Sequence, residues 1–567
     1  MNGFDAAFVA CRRHLLVAAV FSLGLNLLYL AVPIYSLQVY DRILPSGSES
    51  TLYLLTLAAA VALAVLAALD ALRARVLARA GVRLERQLAS RVLDVSIERS
   101  LALGPAERGQ GLRDLEALRQ SLSGQVVLAV FDAPWIPIYL AVLFMIHWLL
   151  GVFALLCGAV LLALTMANDR ATRGANLRAQ ETGQVNLALT DAALRNAEAV
   201  RAMGMFPGVF ENWKRYRIES ILARLSAEDR GAIAASGIKF VRLMAQVLML
   251  GAGAWLAIRQ QVTPGAIFAS AIVMARAIQP VEQIVGLWRH LAAARDAYQR
   301  LQALLRRKPA GATPLDLPRP AGDLSIEKVV FIPPGSSRRV LDGISFRLDA
   351  GEALAVIGPT AAGKSTLARL LVGVYPSTAG SVRIDGADAF AWSRGSLGKH
   401  VGYLPQAFEL FPGTVAQNIA RFGEVDGDAV VAAARLAGVH EIVLGLPRGY
   451  ETPVGVHDAA ISGGQRQLIA LARAVFGSPR LVVLDEPNSN LDSGGEARLA
   501  ECLKSLRQAG STVVVVSHRS GILFLMDKIL CLQEGRAVGF GPRDEVMSRL
   551  SQLAQAGAAR AAGGRDG

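Results

Sequence analysis

A chain of 567 residues is longer than one ordinary domain, and 53% apolar residues with a mean hydropathy of +0.38 exclude a wholly soluble protein. The net charge of +13 fits nucleic acid or basic loops beside membrane spans; Arg73, Arg75, Arg79, Arg83, Arg86 and Arg91, crowded behind one apolar stretch, decide for the membrane. Cys11, Cys157, Cys502 and Cys531 are scattered, which excludes a disulfide framework and a cysteine-metal site.

The first apolar stretch follows Arg12 and Arg13, as in a signal peptide. Its length of about 20 residues, Pro33 and the absence of a small-residue cleavage site make it a membrane helix instead. Six stretches can cross a bilayer, at about 14–36, 51–71, 126–147, 149–168, 236–258 and 265–287. The connectors Leu44–Ser48, His147–Trp148 and Arg259–Gly265 hold few basic residues and are expected outside the cell. Residues 72–125 and 169–235 are Arg-rich and helical in pattern, and read as cytoplasmic extensions with turns near Gly111–Glu116 and Gly204–Glu211. Asp132, Arg242, Gln246, Arg276 and Glu282 fall within or beside the spans. An ionisable group at membrane depth costs several kcal/mol unless paired or solvated, so these side chains are expected to face a cavity, or to snorkel in the case of Arg242 and Glu282.

The divisions that follow are an α-helical membrane domain with six spans over 1–305, a proline-rich linker over 306–322, an α/β domain over 323–550 and a disordered tail over 551–567. The α/β assignment rests on short β-rich runs alternating with helices.

Three motifs carry chemistry. After the apolar run Ala353–Ile357 comes Gly358, Pro359, Thr360, Ala361, Ala362, Gly363, Lys364, Ser365 and Thr366, which matches G-x-x-x-x-G-K-[ST]. Strand, glycine-bounded loop and helix N-terminus make a phosphate cradle, with Lys364 placed for the β- and γ-phosphates and Ser365 for Mg²⁺. Ala361 stands where glycine is common, and is tolerable if its φ is negative. Second, Leu481–Glu486 is an apolar strand ending in two carboxylates, Asp485 for Mg²⁺ and Glu486 as the general base toward water. Third, Ile461–Gln467 (ISGGQRQ) opens an amphipathic helix, where Ser462, Gly463 and Gly464 offer a hydroxyl and backbone N–H groups to a second anion.

With ISGGQ beside LSGGQ, the chain resembles the ATP-binding cassette superfamily, and six spans with one C-terminal cassette resemble a half-sized exporter. The resemblance implies ATP and Mg²⁺ as cofactors, with Gln406 sensing metal and water, His518 on the γ-phosphate, and Ser489–Asp492 coupling two sites. It also implies that Ser462, Gly463, Gly464 and Gln465 complete the site of a partner cassette in a homodimer. The aromatic that stacks on adenine is absent from Val329–Gly335, and Thr452–Ala460 lacks the acidic residue many exporters carry before the signature. Pro33–Ser48, Arg276–Pro280, Phe331–Gly335 and Pro405–Thr414 are similar to type I secretion ATPase–permeases of the metalloprotease- and lipase-exporting branch. That branch implies a bacterial inner-membrane protein exporting an unfolded polypeptide with a C-terminal signal. Its partners are a periplasmic adaptor, an outer-membrane channel and membrane lipid, with no nucleic acid. With about 13 residues before the first span, a leader peptidase domain is not expected. A lipid or small-molecule exporter shares the cassette motifs, an ATP-gated regulator or channel sits poorly with Glu486, and a soluble DNA-acting ATPase is excluded by the spans.

Overall fold

The computed structural model describes residues 3–103, 109–286, 288–306, 316–455, 461–549 and 552. Two compact units divide the chain, Met1–Arg307 and Lys308–Gly567. Of the expected linker, residues 307–315 lie outside the described residues, as does the expected tail apart from residue 552.

The first unit is helical. It begins with α1 (Gly3–Leu28), α2 (Ala31–Gln38), α3 (Leu44–Ser46), α4 (Glu49–Leu103), α5 (Gln110–Ser123) and α6 (Gln125–Asp132). Then come α7 (Ile136–Ile146), α8 (Trp148–Arg195), α9 (Ala197–Ala202), α10 (Phe206–Ile258), α11 (Pro264–Gly286) and α12 (Trp288–Arg306). At 1.5 Å per residue, α4, α8 and α10 are each about 70–85 Å long, more than twice the ~30 Å hydrocarbon core of a bilayer. The apolar half of each therefore continues unbroken into its Arg-rich half.

Among the described residues, five helical segments are long and apolar enough to cross a membrane: Val9–Ser46, Glu49–Leu101, Val127–Ile146, Trp148–Arg195 and Phe206–Ile258. The sixth expected span, 265–287, is helical as α11 (Pro264–Gly286), with Arg276 the one charged residue between 264 and 280. The third span is interrupted by a 3₁₀ turn at Ala133–Trp135, where Pro134 and Pro137 withdraw backbone donors from a continuous helix. Tyr139, Leu143, Leu150, Leu161, Met249 and Met274 form a buried core among α7, α8, α10 and α11. Leu84, Leu88, Leu115 and Leu301 form another among α4, α5 and α12.

The second unit is α/β. Its strands are β1 (Leu324–Phe331), β2 (Leu341–Leu348), β3 (Ala353–Ile357), β4 (Ala379–Ile384), β5 (Ala387–Asp388) and β6 (Val401–Leu404). They continue with β7 (Gly413–Thr414), β8 (Pro453–Val454), β9 (Leu481–Asp485), β10 (Thr512–Val516), β11 (Lys528–Gln533) and β12 (Arg536–Pro542). The helices are α13 (Lys364–Leu371), α14 (Arg394–Leu397), α15 (Val415–Ile419), α16 (Gly427–Leu436), α17 (His440–Leu444), α18 (Gly463–Val475), α19 (Ser493–Gln508) and α20 (Ser520–Leu523). An antiparallel sheet runs β2-β1-β4-β5, and a six-stranded sheet runs β12-β11-β3-β10-β9-β6, parallel except at β12.

Strands β3, β9 and β10 are nearly unbroken apolar runs because both faces of this sheet are covered. Ala353 and Ala355 pack into one core, while Leu354 and Val356 point to the other. Val516 of β10 lies opposite both Val356 of β3 and Asp485 of β9. The carboxyl ends of three strands thus meet at one edge, where ligands bind in open α/β sheets.

Candidate active site

The loop leaving β3 needs glycine at both ends. Gly358 has φ +150°, and a Cβ there would sit 2.1 Å from the Leu532 carbonyl oxygen. Gly363 has φ +98°, and its Cβ would lie 2.7 Å from Leu341 Cδ2. Pro359, Thr360 and Ala361 are exposed on the loop, Ala362 and Lys364 are buried, and Ser365 and Thr366 open the first turn of α13. Lys364 Nζ donates to the carbonyls of Gly358 (2.7 Å) and Pro359 (2.9 Å), which holds the ammonium over the loop. The condition under which Ala361 was tolerable, a negative φ, is not met: φ is +64°. The loop imposes the left-handed conformation that glycine adopts freely, and the methyl group is accommodated because it faces solvent.

At the end of β9, Asp485 is 1% exposed, and neither carboxylate oxygen has a hydrogen-bond partner within the described residues. Burial pushes its carboxyl above the usual range; the Ser365 hydroxyl opposes this, Glu486 adds to it, and Arg369 and Lys364 oppose it again. A buried carboxylate with free oxygens near a serine hydroxyl and the Lys364 loop fits a divalent cation shared with phosphate oxygens. Among the described residues no group of three or more His, Cys, Asp or Glu could hold a metal by itself.

Glu486 follows at φ +50°, its N–H donating to the Val516 carbonyl at 2.9 Å. Gln406, two residues past β6, donates its amide to Glu486 Oε2 at 2.8 Å, so the expected metal-and-water residue and the expected base are in contact. His518 lies exposed two residues beyond β10, past the same sheet edge.

Ser462 is the N-cap of α18: its hydroxyl accepts the Gln465 N–H at 3.3 Å, and the Gln465 side chain accepts the Ser462 N–H at 2.9 Å. This capping box fixes the helix start and leaves Ser462 and Gly463 exposed. Among the described residues no hydrogen bond joins Ser462–Gln465 to the Gly358–Thr366 loop of the same chain.

Gln467 is a residue the sequence reading passed over. It is 1% exposed, its carbonyl accepts the Asn490 N–H at 2.9 Å, and its amide reaches the Glu486 carbonyl and the Ser489 hydroxyl, each at 3.4 Å. It ties the ISGGQ helix to the segment after Glu486; Gly464 fits there because a Cβ would come 2.9 Å from the Asn490 carbonyl. The signal was available: a glutamine on the apolar face of an amphipathic helix needs buried partners. Phe331, in the segment lacking the expected adenine aromatic, is buried and tilted against Tyr375 at 5.4 Å, so it is a core residue. Residues 456–460 of the segment before the signature lie outside the described residues.

In the helical unit, Asp132 and Arg276 line one polar pocket. Arg73, 4% exposed, donates to Asp132 (2.8 Å), Asp70 (2.9 Å) and Ser22 (2.9 Å). Arg242 and Gln246 are exposed on α10, and the Glu282 side chain lies outside the described residues.

Two families match. That of the ABC transporter transmembrane region covers residues 15–281, and that of the ABC transporter covers 341–489. The type I secretion system ATP-binding protein PrsD of Rhizobium meliloti (strain 1021) is 43% identical over 96% of this chain and 94% of its own. The cyclolysin secretion/processing ATP-binding protein CyaB of Bordetella pertussis is 29% identical over 95% of this chain and 76% of its own. A solved bacterial Atm1-family ABC exporter with ATP bound superposes with a TM-score of 0.82 at 23% identity, over 97% of this chain and 98% of that one. The last likeness concerns the fold.

Proposed function

This chain belongs to the ABC transporters, and within them to the type I secretion ATP-binding proteins, and from that premise we propose a homodimeric ATPase that drives an unfolded polypeptide out of the cell. The observation that carries the chemistry is the unpartnered Asp485 beside the Gln406–Glu486 pair at the carboxyl edge of the sheet. ATP lays its phosphates in the Gly358–Thr366 loop, where backbone N–H groups and Lys364 hold the β- and γ-oxygens. Ser365, Asp485 and Gln406 are the residues to hold Mg²⁺, which supplies charge neutralisation between those oxygens when bound. Glu486 orients a water and takes its proton, Gln406 keeps that carboxylate in place, and His518 donates toward the γ-phosphate. Ser462, Gly463, Gly464 and Gln465 close the site from the second copy, with the N–H groups of Gly463 and Gly464, which the capping box does not engage, toward the same phosphate.

The cassette works on the cytoplasmic side of a bacterial inner membrane. Arginine-rich helix extensions and base-poor connectors support that orientation. A periplasmic adaptor, an outer-membrane channel and a polypeptide with a C-terminal signal are the partners this reading requires, in keeping with the secretion relatives.

In inverted vesicles bearing the transporter, ATP is expected to drive uptake of a labelled polypeptide. Glu486→Gln retains ATP binding but lowers hydrolysis by about 10²–10⁴-fold and stops uptake. Hydrolysis by the variant at the wild-type rate overturns the base assignment, and ATP-driven lipid movement without polypeptide uptake overturns the cargo class.

A further inference from the structure

We infer that Arg276 binds carboxylate side chains of the polypeptide in transit, a reading that rests on the export function proposed above. Arg276, Gln279 and Gln283 fall at i, i+3 and i+7 along α11 and so share one face of a helix whose other side is packed through Met274, Ala277 and Ile278. Gln279 and Gln283 are exposed on that face. A guanidinium and two amides turned toward lipid would lose their water with nothing in exchange, so this face borders a hydrated path through the membrane unit. Pro280 adds to its polarity, because it has no N–H to give the carbonyl of Arg276.

The pocket behind the stripe has a volume of about 190 Å³ and includes Tyr29, Arg73 and Asp132. The Arg276 guanidinium lies 3.9 Å from the centre of the Tyr29 ring and donates to Gln279 Oε1 at 3.1 Å. Among the described residues no carboxylate pairs with it, because Arg73 engages both Asp70 and Asp132. Two arginines against two aspartates balance the pocket as a whole. Most of the five N–H donors of Arg276 remain for an incoming group.

The chemistry of that group follows. A planar fork beside two amides matches one carboxylate, bidentate, with its methylene against Tyr29. A lipid headgroup draws on clusters of lysine and arginine, and the exposed stripe carries a single cation.

The test uses the full-length protein in discs of phosphatidylcholine alone, with three labelled unstructured peptides differing only in Asp, Asn or Lys at the same positions. The Asp peptide is expected to bind about 10-fold more tightly than the Asn peptide. Arg276→Gln removes that preference without changing binding of the Asn peptide, Arg276→Lys restores part of it, and Arg276→Glu transfers it to the Lys peptide. A preference for Asp that survives Arg276→Gln overturns the inference. So does a dependence on Arg276 that appears only as retention of added anionic lipid, which assigns the residue to a headgroup. Equal binding of all three peptides by the wild type removes the carboxylate site alone, whereas failure of every peptide to bind or to stimulate ATP hydrolysis counts against the export reading itself.

Discussion

Asp485 is held where a lone carboxylate is costly. Its two oxygens are buried without partners among the described residues, and an unsatisfied buried group costs about 1–3 kcal/mol. Burial raises its folded pKa above the ordinary value of 3.8. Above the raised folded pKa the group is ionised in both the folded and unfolded states, and the full penalty applies. Below 3.8 it is protonated in both, and the penalty is gone. Without divalent metal, the wild type therefore gains stability as pH falls through that window. Asp485→Asn should raise the melting temperature at pH 8 by about 2–4 °C, an advantage that shrinks toward pH 4. Mg²⁺ with ATP should stabilise the wild type more than the variant, which keeps the phosphate loop but loses one metal-holding group. Thermal unfolding in detergent across pH, with EDTA or Mg-ATP, checks both; an advantage that grows as pH falls contradicts the sign.

Between β9 and the ISGGQ helix, Gln467 is the tie. α18 carries Ser462 and Gly463 at its exposed start, while Gln467, one turn in, holds the Asn490 N–H and reaches Glu486 and Ser489. Gln467→Leu keeps the helix and its volume but removes the bond to the N–H of Asn490, an exposed residue, at a cost of about 0.5–1.5 kcal/mol. ATP affinity should stay near wild type, because the loop after β3 is untouched, while turnover falls by about 10-fold or more as Glu486 loses its backing. Equal turnover in the variant, measured at saturating Mg-ATP, would show the tie to be packing alone. The same elements mark what sequence could and could not disclose. The strands β3, β9 and β10 were legible because both faces are buried and all but Asp485 and Thr512 are apolar, and Gly358 and Gly363 because only glycine fits. The positive φ of Ala361 was not, since a loop's backbone path is set by what it packs on and not by the residue that adopts it. Arg276 could be marked as an intramembrane cation, but that no carboxylate among the described residues pairs with it depends on Arg73 of α4 taking Asp70 of α4 and Asp132 of α6, a pairing spread over two helices.

At the scale of the whole molecule, the chain carries one phosphate loop and one ISGGQ start, with no hydrogen bond between them among the described residues. Ser462 and Gly463 are exposed, while the Lys364 ammonium is held over its own loop. If each site takes its loop from one copy and its ISGGQ helix from another, two kinds of broken chain can repair each other. Lys364→Ala removes the phosphate cation from its own loop, and Ser462→Arg blocks the helix start it would lend to a partner. Each variant alone should hydrolyse no ATP, since both sites of its homodimer are damaged. When the two chains are co-expressed, a mixed dimer has one site broken twice and one site intact, the latter built from the loop of the Ser462→Arg chain and the helix of the Lys364→Ala chain. Random assembly makes half the dimers mixed, so hydrolysis should return to at most about a quarter of the wild-type rate. The intact site requires exchange between chains, so the recovery must disappear when each variant is purified separately and mixed without subunit exchange. No recovery on co-expression of well-folded chains would place loop and helix within one chain and remove the homodimer from the mechanism.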